Sequence, residues 1–232
     1  MPGSGEAAIE LEGLTRAYGE RTALSGVSVR LGHGQTLAVL GSNGAGKTTL
    51  LRILATLLRP HSGVVRILGR ELPREGWAVR GRIGLLGHDP LLYRDLTGRE
   101  NLEYHARLHD VAGRSERIAT VLDAVGMTRR AEEPIRLLSR GMVQRLAVAR
   151  AVLHDPELLL LDEPASHLDP AATALVEPLV GRSSGTTRVV VSHDPGGSIA
   201  EADLVLGLRR GEAAFVAPAA EVEEGRVREL YR

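Results

Sequence analysis

The sequence predicts an α/β fold built around a parallel β-sheet, and three observations support this. Four short apolar runs have the character of strands buried on both faces: 36–40, 158–161, 188–191 and 202–208. Segments with helical spacing of apolar residues separate these runs, which is typical of parallel sheets with crossover helices. Glycine-rich or acidic residues directly follow several of the runs, at the strand ends where open α/β sheets bind ligands.

The remaining segments fill in this fold. Residues 8–31 alternate apolar and polar side chains and predict short strands, which would form a small antiparallel β region near the N-terminus. Further strands are expected at 64–68 and 83–86, and residues 212–232 suggest a hairpin strand with a short helix. Helices are expected at 48–58, 100–109, 114–126, 139–154 and 171–180. Thr97-Gly-Arg-Glu100 has the pattern of a helix-capping box.

Composition excludes several classes of function. The 29 basic and 29 acidic residues give a net charge of +0, so no long-range field attracts nucleic acid or an anionic membrane. The absence of cysteine excludes disulfides, thiolate metal sites and a cysteine nucleophile. No apolar run approaches the ~18 residues of a membrane span. The first ten residues also lack the features of a signal peptide. We expect a cytoplasmic protein without direct membrane insertion.

The segment Gly41–Thr48 matches the phosphate-binding pattern G-x-x-x-x-G-K-[ST] in full, between a predicted strand and a predicted helix. Its glycines let backbone N–H groups surround phosphate oxygens, and the helix N-terminus adds positive potential. Lys47 is the only lysine of the chain and is expected on the β- and γ-phosphates, with the Thr48 hydroxyl on Mg²⁺. The predicted ligands are therefore ATP and Mg²⁺. The predicted nucleotide-contacting residues of this segment are Gly41, Ser42, Asn43, Gly44, Ala45, Gly46, Lys47, Thr48 and Thr49.

Two other strand ends carry polar side chains suited to the same chemistry. Asp162 and Glu163 follow a run of four leucines, where Asp162 can hold Mg²⁺ and Glu163 can act as general base toward water. His193 follows another buried run, and a neutral imidazole there can contact the γ-phosphate. These three residues complete a predicted site for ATP hydrolysis.

The segment 138–142, Leu-Ser-Arg-Gly-Met, resembles the signature motif of ABC transporter ATP-binding subunits, and the resemblance covers nearly the whole chain. The usual motif is Leu-Ser-Gly-Gly-Gln, so Arg140 and Met142 depart from it while Ser139 and Gly141 are kept. In that family, this serine and glycine contact the γ-phosphate of ATP bound to the opposite subunit. The resemblance therefore implies a second ATP-binding subunit as partner, identical or homologous.

The same resemblance implies one ABC ATP-binding domain over 1–232, with a P-loop NTPase (RecA-like) core and an all-helical ABC subdomain. The core would comprise residues 1–88 and 151–232, and the helical subdomain residues 89–150. An integral membrane permease would be the other partner and would hold the chain peripherally on the inner face of the cell membrane. Nucleic acid is not an expected partner.

Three further positions match the family. Tyr18 resembles the aromatic residue that stacks on adenine, and Asp169 lies in a segment like the D-loop that signals across the dimer. His88 occupies the place of the usual Q-loop glutamine, which touches Mg²⁺ and the attacking water. Whether His88 acts at the metal region or transmits movement stays open.

The segment 86–102 narrows the transporter type. Its Gly-His-x-Pro sequence, followed by Leu-Thr-x-x-Glu-Asn-Leu, is similar to the ATP-binding subunit of the bacterial haem exporter of cytochrome c maturation. The Leu-Ser-Arg-Gly-Met signature at 138–142 also occurs in the related drug- and polysaccharide-exporter branch, which is the alternative. Haem would be cargo and not a cofactor of this subunit.

Readings from other classes fit less well. A GTPase-type switch needs Asn-Lys-x-Asp, which a chain with Lys47 as its only lysine cannot contain. Soluble ABC ATPases of DNA repair carry long coiled coils and zinc sites, and ribosomal ones usually hold two such domains. A module that binds ATP without turnover remains, but Glu163 and His193 favour hydrolysis.

Overall fold

Strands and helices alternate along the described part of the chain, which is residues 7–231 of the computed structural model. The strands are β1 (Ala7–Tyr18), β2 (Arg21–Gly32), β3 (Thr36–Leu40), β4 (Ser62–Ile67), β5 (Arg70–Leu72), β6 (Ile83–Leu86), β7 (Leu158–Asp162), β8 (Thr187–Val191), β9 (Leu204–Arg209) and β10 (Glu212–Pro218). The α-helices are α1 (Lys47–Leu54), α2 (Gly76–Val79), α3 (Gly98–Leu108), α4 (Arg114–Ala124), α5 (Arg140–Val152), α6 (Pro170–Val180), α7 (Pro195–Glu201) and α8 (Glu224–Glu229). The predicted domain limits, residues 1 and 232, lie outside the described residues.

The central sheet has the strand order β10-β9-β3-β8-β7-β6. It is parallel from β9 to β6, and only the edge strand β10 pairs antiparallel. This confirms the predicted parallel sheet, since all four apolar runs are in it. Parallel strands place their carboxyl ends at one edge, so the segments after β3, β7 and β8 lie side by side there.

A second, antiparallel sheet has the order β2-β1-β4-β5. The antiparallel region predicted for residues 8–31 is present, but as two strands of 12 residues each rather than as short ones. Register shifts between Leu11 and Leu14, and again before Arg16, interrupt the pairing of β1 with β2. Each shift reverses the inward and outward alternation, which explains why the sequence pattern suggested separate short strands.

Helix α1 starts one residue earlier and ends four residues earlier than the predicted 48–58. Thr56 has a φ of 60° and lies in the left-handed region, which cannot continue a right-handed helix. The apolar residues of α1, among them Leu50 and Ile53, are buried against the central sheet and the antiparallel sheet. The helix N-terminus, at Lys47, is thereby fixed at the end of the Gly41–Thr48 segment.

The stretch between β6 and β7 contains the three helices α3, α4 and α5. The predicted capping box is present: Thr97 Oγ1 accepts from Glu100 N at 3.1 Å, and Thr97 N donates to a Glu100 carboxylate oxygen at 2.8 Å. Leu102, Ile118 and Leu146 form one apolar cluster with residues of β7, so these helices pack on one face of the central sheet. None of the helices formed by residues 7–231 is long and apolar enough to cross a bilayer.

Candidate active site

The loop between β3 and α1 depends on glycine at two points. Gly41 has a φ of 148° and Gly46 a φ of 111°, conformations that other residues rarely adopt. A Cβ on Gly41 would collide with the Leu208 carbonyl oxygen, and one on Gly46 would approach the Leu24 side chain to 2.8 Å. The loop is therefore pressed against β2 and β9, and only a chain lacking side chains at these places can follow this path.

Lys47 is the first residue of α1 and is buried, with 8% of its surface exposed. Its Nζ donates to two carbonyl oxygens of the loop, Gly41 O at 2.6 Å and Ser42 O at 3.1 Å. Burial lowers the pKa of Lys47, while the nearby carboxylates of Asp162 and Glu163 raise it. The loop thus holds a cation facing two acids, a charge arrangement suited to a metal-bound polyphosphate.

Asp162 and Glu163 are brought to the loop by the sheet register. Asp162 pairs with Val191 across β7 and β8, and the Glu163 N–H donates to the Val191 carbonyl at 2.9 Å. Glu163 has a φ of 54°, a left-handed conformation that costs free energy for a residue with a side chain. Strain of this kind concentrates at functional sites, and here it accompanies the residue predicted to be the general base.

The carboxylate of Glu163 faces His193. Glu163 Oε1 lies 3.7 Å from His193 Nε2, and it is buried without a hydrogen-bond partner among the described residues. Burial raises the pKa of Glu163, and the charge of Asp162 raises it further, while His193 opposes the shift. Burial also raises the pKa of Asp162, opposed first by His88 and then by Lys47. A partly desolvated carboxylate with one free oxygen is suited to accept a proton from water.

These residues line one open cavity of about 470 Å³ at the carboxyl edge of the sheet. Of the residues predicted from the sequence, it brings together Tyr18, Asn43, Gly44, Gly46, Lys47, Thr48, Thr49, His88, Asp162, Glu163 and His193. Gly41, Ser42 and Ala45 belong to the same loop without lining the cavity. Arg21, Ala23 and Val191 line it as well and were not predicted. Arg21 starts β2 just after the turn from Tyr18, so a hairpin prediction would have placed its guanidinium beside the tyrosine.

Three other predicted residues lie outside both the cavity and the Gly41–Thr48 loop. Ser139 is exposed at the N-terminus of α5, where its Oγ accepts from Met142 N at 3.3 Å. Gly141, the second residue of the same helix, has no room for a side chain because a Cβ would come within 2.9 Å of the His167 carbonyl oxygen. Asp169 caps α6, its carboxylate accepting from Ala172 N at 2.7 Å. A single chain therefore does not bring these three residues to the loop.

The oxygen atoms that line the cavity can bind Mg²⁺ only if a bound molecule supplies further oxygen ligands. Thr48 and Asp162 both line the cavity and offer a hydroxyl and a carboxylate, the hard oxygen ligands that Mg²⁺ prefers. Within residues 7–231, no group of three histidines or acids is placed to hold a metal ion. A bound magnesium ion would thus need oxygens from another molecule, as it does in sites completed by substrate phosphates.

Comparison with known proteins decides the family. A family model described as ABC transporter matches residues 24–166, which is more than half of the chain. The chain belongs to the ABC transporter family. It carries the ATPase domain of that family, and the P-loop NTPase fold predicted from the sequence is confirmed.

Individual relatives of this ABC domain differ in the function for which they are named. Daunorubicin resistance ATP-binding protein DrrA3 of Streptomyces coeruleorubidus is 41% identical over 194 residues, covering 81% of this chain and 61% of that protein. Phosphate import ATP-binding protein PstB 2 of Natronomonas pharaonis is 35% identical over 234 residues, covering 94% of this chain and 82% of that protein. Neither name supports the expected haem-exporter type.

A solved structure agrees in fold over most of its length. The dimeric post-hydrolysis state of the ATP-binding cassette MJ0796, bound to ADP and Pi, has a TM-score of 0.81 at 27% identity. It covers 91% of this chain and 98% of the cassette. That cassette is therefore similar to this chain in fold.

Proposed function

We propose that this chain hydrolyses Mg·ATP as the motor subunit of an ABC transporter. The observation that carries the proposal is the single cavity that joins Lys47, Asp162, Glu163 and His193 at the edge of the parallel sheet. A cation, two acids and an imidazole around a glycine loop are the groups that phosphoryl transfer to water requires.

Binding would use groups that the loop already holds. Lys47 Nζ can exchange its bonds with the Gly41 and Ser42 carbonyls for bonds with phosphate oxygens. Mg²⁺, held by the Thr48 hydroxyl and the Asp162 carboxylate together with those oxygens, would neutralise negative charge on the phosphates. The ring of Tyr18, 45% exposed at the mouth of the cavity, would stack on adenine.

Hydrolysis would use the strand-end residues. Glu163 would take a proton from the attacking water on its free Oε1, and the raised pKa makes it a better base than an ordinary carboxylate. His193 would contact the γ-phosphate from the neighbouring strand end. His88, on the loop after β6, lines the same cavity and would act on the same region.

The site would be completed by a second ATP-binding subunit. Ser139 and Gly141 lie away from the cavity of their own chain, at an exposed helix N-terminus that can donate to a phosphate of another subunit. Asp169 would help pass the state of one site to the other. Residues 89–150 would move as a helical subdomain and act on an integral membrane permease, which would hold the chain on the inner face of the cell membrane.

For the cargo, we favour export of an amphiphilic drug-like compound. The support is the 41% identity to a protein named for daunorubicin resistance. Haem export for cytochrome c maturation is the second candidate, supported by the Gly-His-x-Pro segment at 87–90. Reconstitution with a cognate permease would separate them, because daunorubicin should stimulate ATP hydrolysis in the first case and haem in the second.

A mixing experiment tests the two-chain site. Lys47→Ala removes the phosphate-binding cation, and Ser139→Asp keeps a helix-capping side chain but places a negative charge toward the phosphate. Each variant alone should hydrolyse ATP poorly. Their mixture should regain activity, because one of the two sites of a mixed dimer then contains native Lys47 and native Ser139. A mixture as inactive as its components would contradict the two-chain site.

A further inference from the structure

A buried arginine lies behind the loop that carries His88. Arg150, near the end of α5, has 8% of its surface exposed. Its Nη2 donates to the Leu85 carbonyl at 2.5 Å, and its Nε donates to the Pro90 carbonyl at 3.1 Å. These two carbonyls stand on either side of His88, one in β6 and one after the loop. A single side chain therefore holds both ends of the six-residue segment 85–90, which contains His88.

The setting of Arg150 is costly, which argues for a specific task. No carboxylate of the described residues forms an ion pair with it, and its partners are the two backbone carbonyls. Burial lowers the pKa of Arg150 to about 10, so it remains charged at neutral pH. Burial, with the charge of Arg150 as a further cause, lowers the pKa of both His105 and His154 to about 4. His105 and His154 are therefore neutral at pH 7, and of these three side chains only Arg150 carries a positive charge.

The helix that carries Arg150 also reaches two other parts of the proposed mechanism. Helix α5 has Ser139 as its N-cap, and Gln144 Nε2 donates to the Pro164 carbonyl at 3.2 Å, one residue beyond Glu163. His88 and Gln144 both line a smaller cavity of about 300 Å³ between this helix and the loop. One rigid helix thus contacts the signature serine, the strand end with the general base and the loop with His88.

We propose that Arg150 is a positioning residue for ATP hydrolysis: it fixes His88 relative to the nucleotide and links that position to the orientation of α5. The inference rests on the proposed ATPase function. When α5 moves as the partner subunit engages Ser139, the Leu85 and Pro90 carbonyls are drawn with it, and His88 enters or leaves its place at the cavity wall. Arg150 itself does not touch the reacting atoms.

The test compares Arg150→Lys with Arg145→Lys. Arg145 is a matched control on the same helix, because it also donates to two backbone carbonyls, Val125 O at 3.1 Å and Gly126 O at 3.2 Å, away from the cavity. Arg150 reaches its two carbonyls with two different nitrogens, Nε and Nη2, so a lysine can serve one of them but not both. Arg145 donates to both of its carbonyls through Nη1 alone, a geometry that a single ammonium can reproduce. We expect Arg150→Lys to lower kcat roughly five- to tenfold with the KM for ATP changed less than about twofold. Arg145→Lys should leave kcat unchanged.

A double-mutant cycle with His88→Ala shows whether Arg150 acts through His88. In the His88→Ala background, Arg150→Lys should have little further effect on kcat, since the group it positions is already missing. A general structural role would instead give independent, multiplicative losses. Equal kcat for the Arg150 and Arg145 variants, or multiplicative losses in the cycle, would overturn the proposal.

Hydrogen exchange in the nucleotide-free protein separates this proposal from the function on which it rests. Amides of residues 86–92 should exchange faster in Arg150→Lys than in native protein and in Arg145→Lys, with other regions unchanged. If native protein shows no ATP hydrolysis, the proposed function fails while this local effect remains measurable. If the amides exchange at native rates, the positioning role is wrong even in an active ATPase. The same exchange measurement applies to Arg150→Gln should the lysine variant not fold.

Discussion

The Nε2 atom of His193 lies 3.7 Å from the Oε1 atom of Glu163, across the ends of two adjacent parallel strands. The imidazole is 66% exposed, whereas the carboxylate is 26% exposed and has this oxygen buried without a hydrogen-bond partner. The pair therefore consists of an accessible ring and a withdrawn acid. A water molecule bound between this pair and a phosphate would therefore have a proton acceptor, the Glu163 carboxylate, already in position.

Glu163→Gln should abolish most ATP hydrolysis and keep ATP binding. The amide has the same shape but cannot take a proton from water, so kcat should fall by about 10² to 10⁴. The Kd for ATP, measured by fluorescence of a labelled analogue, should change little, and a dimer should accumulate with ATP in light scattering. The control is Glu157→Gln, an acid at the start of the same strand segment and distant from the strand end, which should retain native kcat. Native turnover in Glu163→Gln would show that another group is the base.

Lys47→Arg should weaken ATP binding even though the charge is kept. The buried Nζ sits within 3.1 Å of two loop carbonyls, and a planar guanidinium does not fit this narrow space or approach the phosphates as a point charge. We expect the Kd for ATP to rise at least about tenfold in isothermal titration. The control is Arg52→Lys, which replaces an arginine by a lysine in the last turn of the same helix, outside the cavity. Native affinity in Lys47→Arg would contradict the need for an ammonium at this place.

Asp162→Asn should stabilise the protein at neutral pH. Burial raises the pKa of Asp162, so the folded protein binds more protons than the unfolded chain, and stability falls as pH rises through the folded pKa. Asparagine removes that penalty, and Tm should rise by a few degrees at pH 7, with the gain fading in acid where native Asp162 is protonated. Thermal unfolding across this pH range measures the effect.

Glu157→Gln should show the opposite dependence in the same unfolding experiment. The side-chain hydrogen bond from Arg82 lowers the pKa of Glu157, so its contribution is present above the ordinary pKa and lost on acidification. The variant should be slightly less stable than native protein at pH 7 and equal to it in acid, with a small amplitude because the pair is solvent-exposed. Parallel pH profiles for Asp162→Asn and Glu157→Gln would contradict both assignments.

Gly41→Ala should destabilise the fold as well as the site. The left-handed φ and the collision of a Cβ with the Leu208 carbonyl should together cost about 2 kcal/mol or more in urea unfolding. Gly81→Ala is the matched control, because a Cβ there meets no atom within 4 Å and its φ is not left-handed. The control should change the free energy of unfolding by less than about 0.5 kcal/mol. Equal values for the two variants would show that the loop relaxes freely.

The parallel sheet and the strand-end residues were predictable because their signal is local. Four apolar runs identify the strands, and parallel strands place their ends together, so Lys47, Asp162, Glu163 and His193 could be assigned to one edge from sequence order alone. The long strands β1 and β2 were read as short ones because register shifts hide their continuity. The division into core and helical subdomain, and the individual roles of the site residues, stay predictions.

Long-range pairings of charged side chains were not predictable. Arg150 lies in the helix predicted at 139–154, and nothing in that pattern indicates that its guanidinium is buried against carbonyls 60 and 65 residues away in the chain. Arg188 lies in a predicted apolar strand, and only the fold shows that it bonds Thr36 Oγ1 at 3.1 Å and the Val180 carbonyl at 2.8 Å. The spacing of apolar residues predicts on which face of a helix or strand a residue lies, but it does not predict which other residues that face contacts.

The position of β3 between β8 and β9 has a mechanical consequence. Leu37 pairs with Val189 on one side and Leu204 on the other, and the same double pairing continues along the strand. A force applied at the end of β3 would have to shear two hydrogen-bonded ladders at once, whereas an edge strand would peel from one. The loop after β3 is thus anchored on a strand that is hydrogen-bonded on both sides. If this loop stays fixed while ATP is bound and hydrolysed, the movement has to come from the elements that close against it.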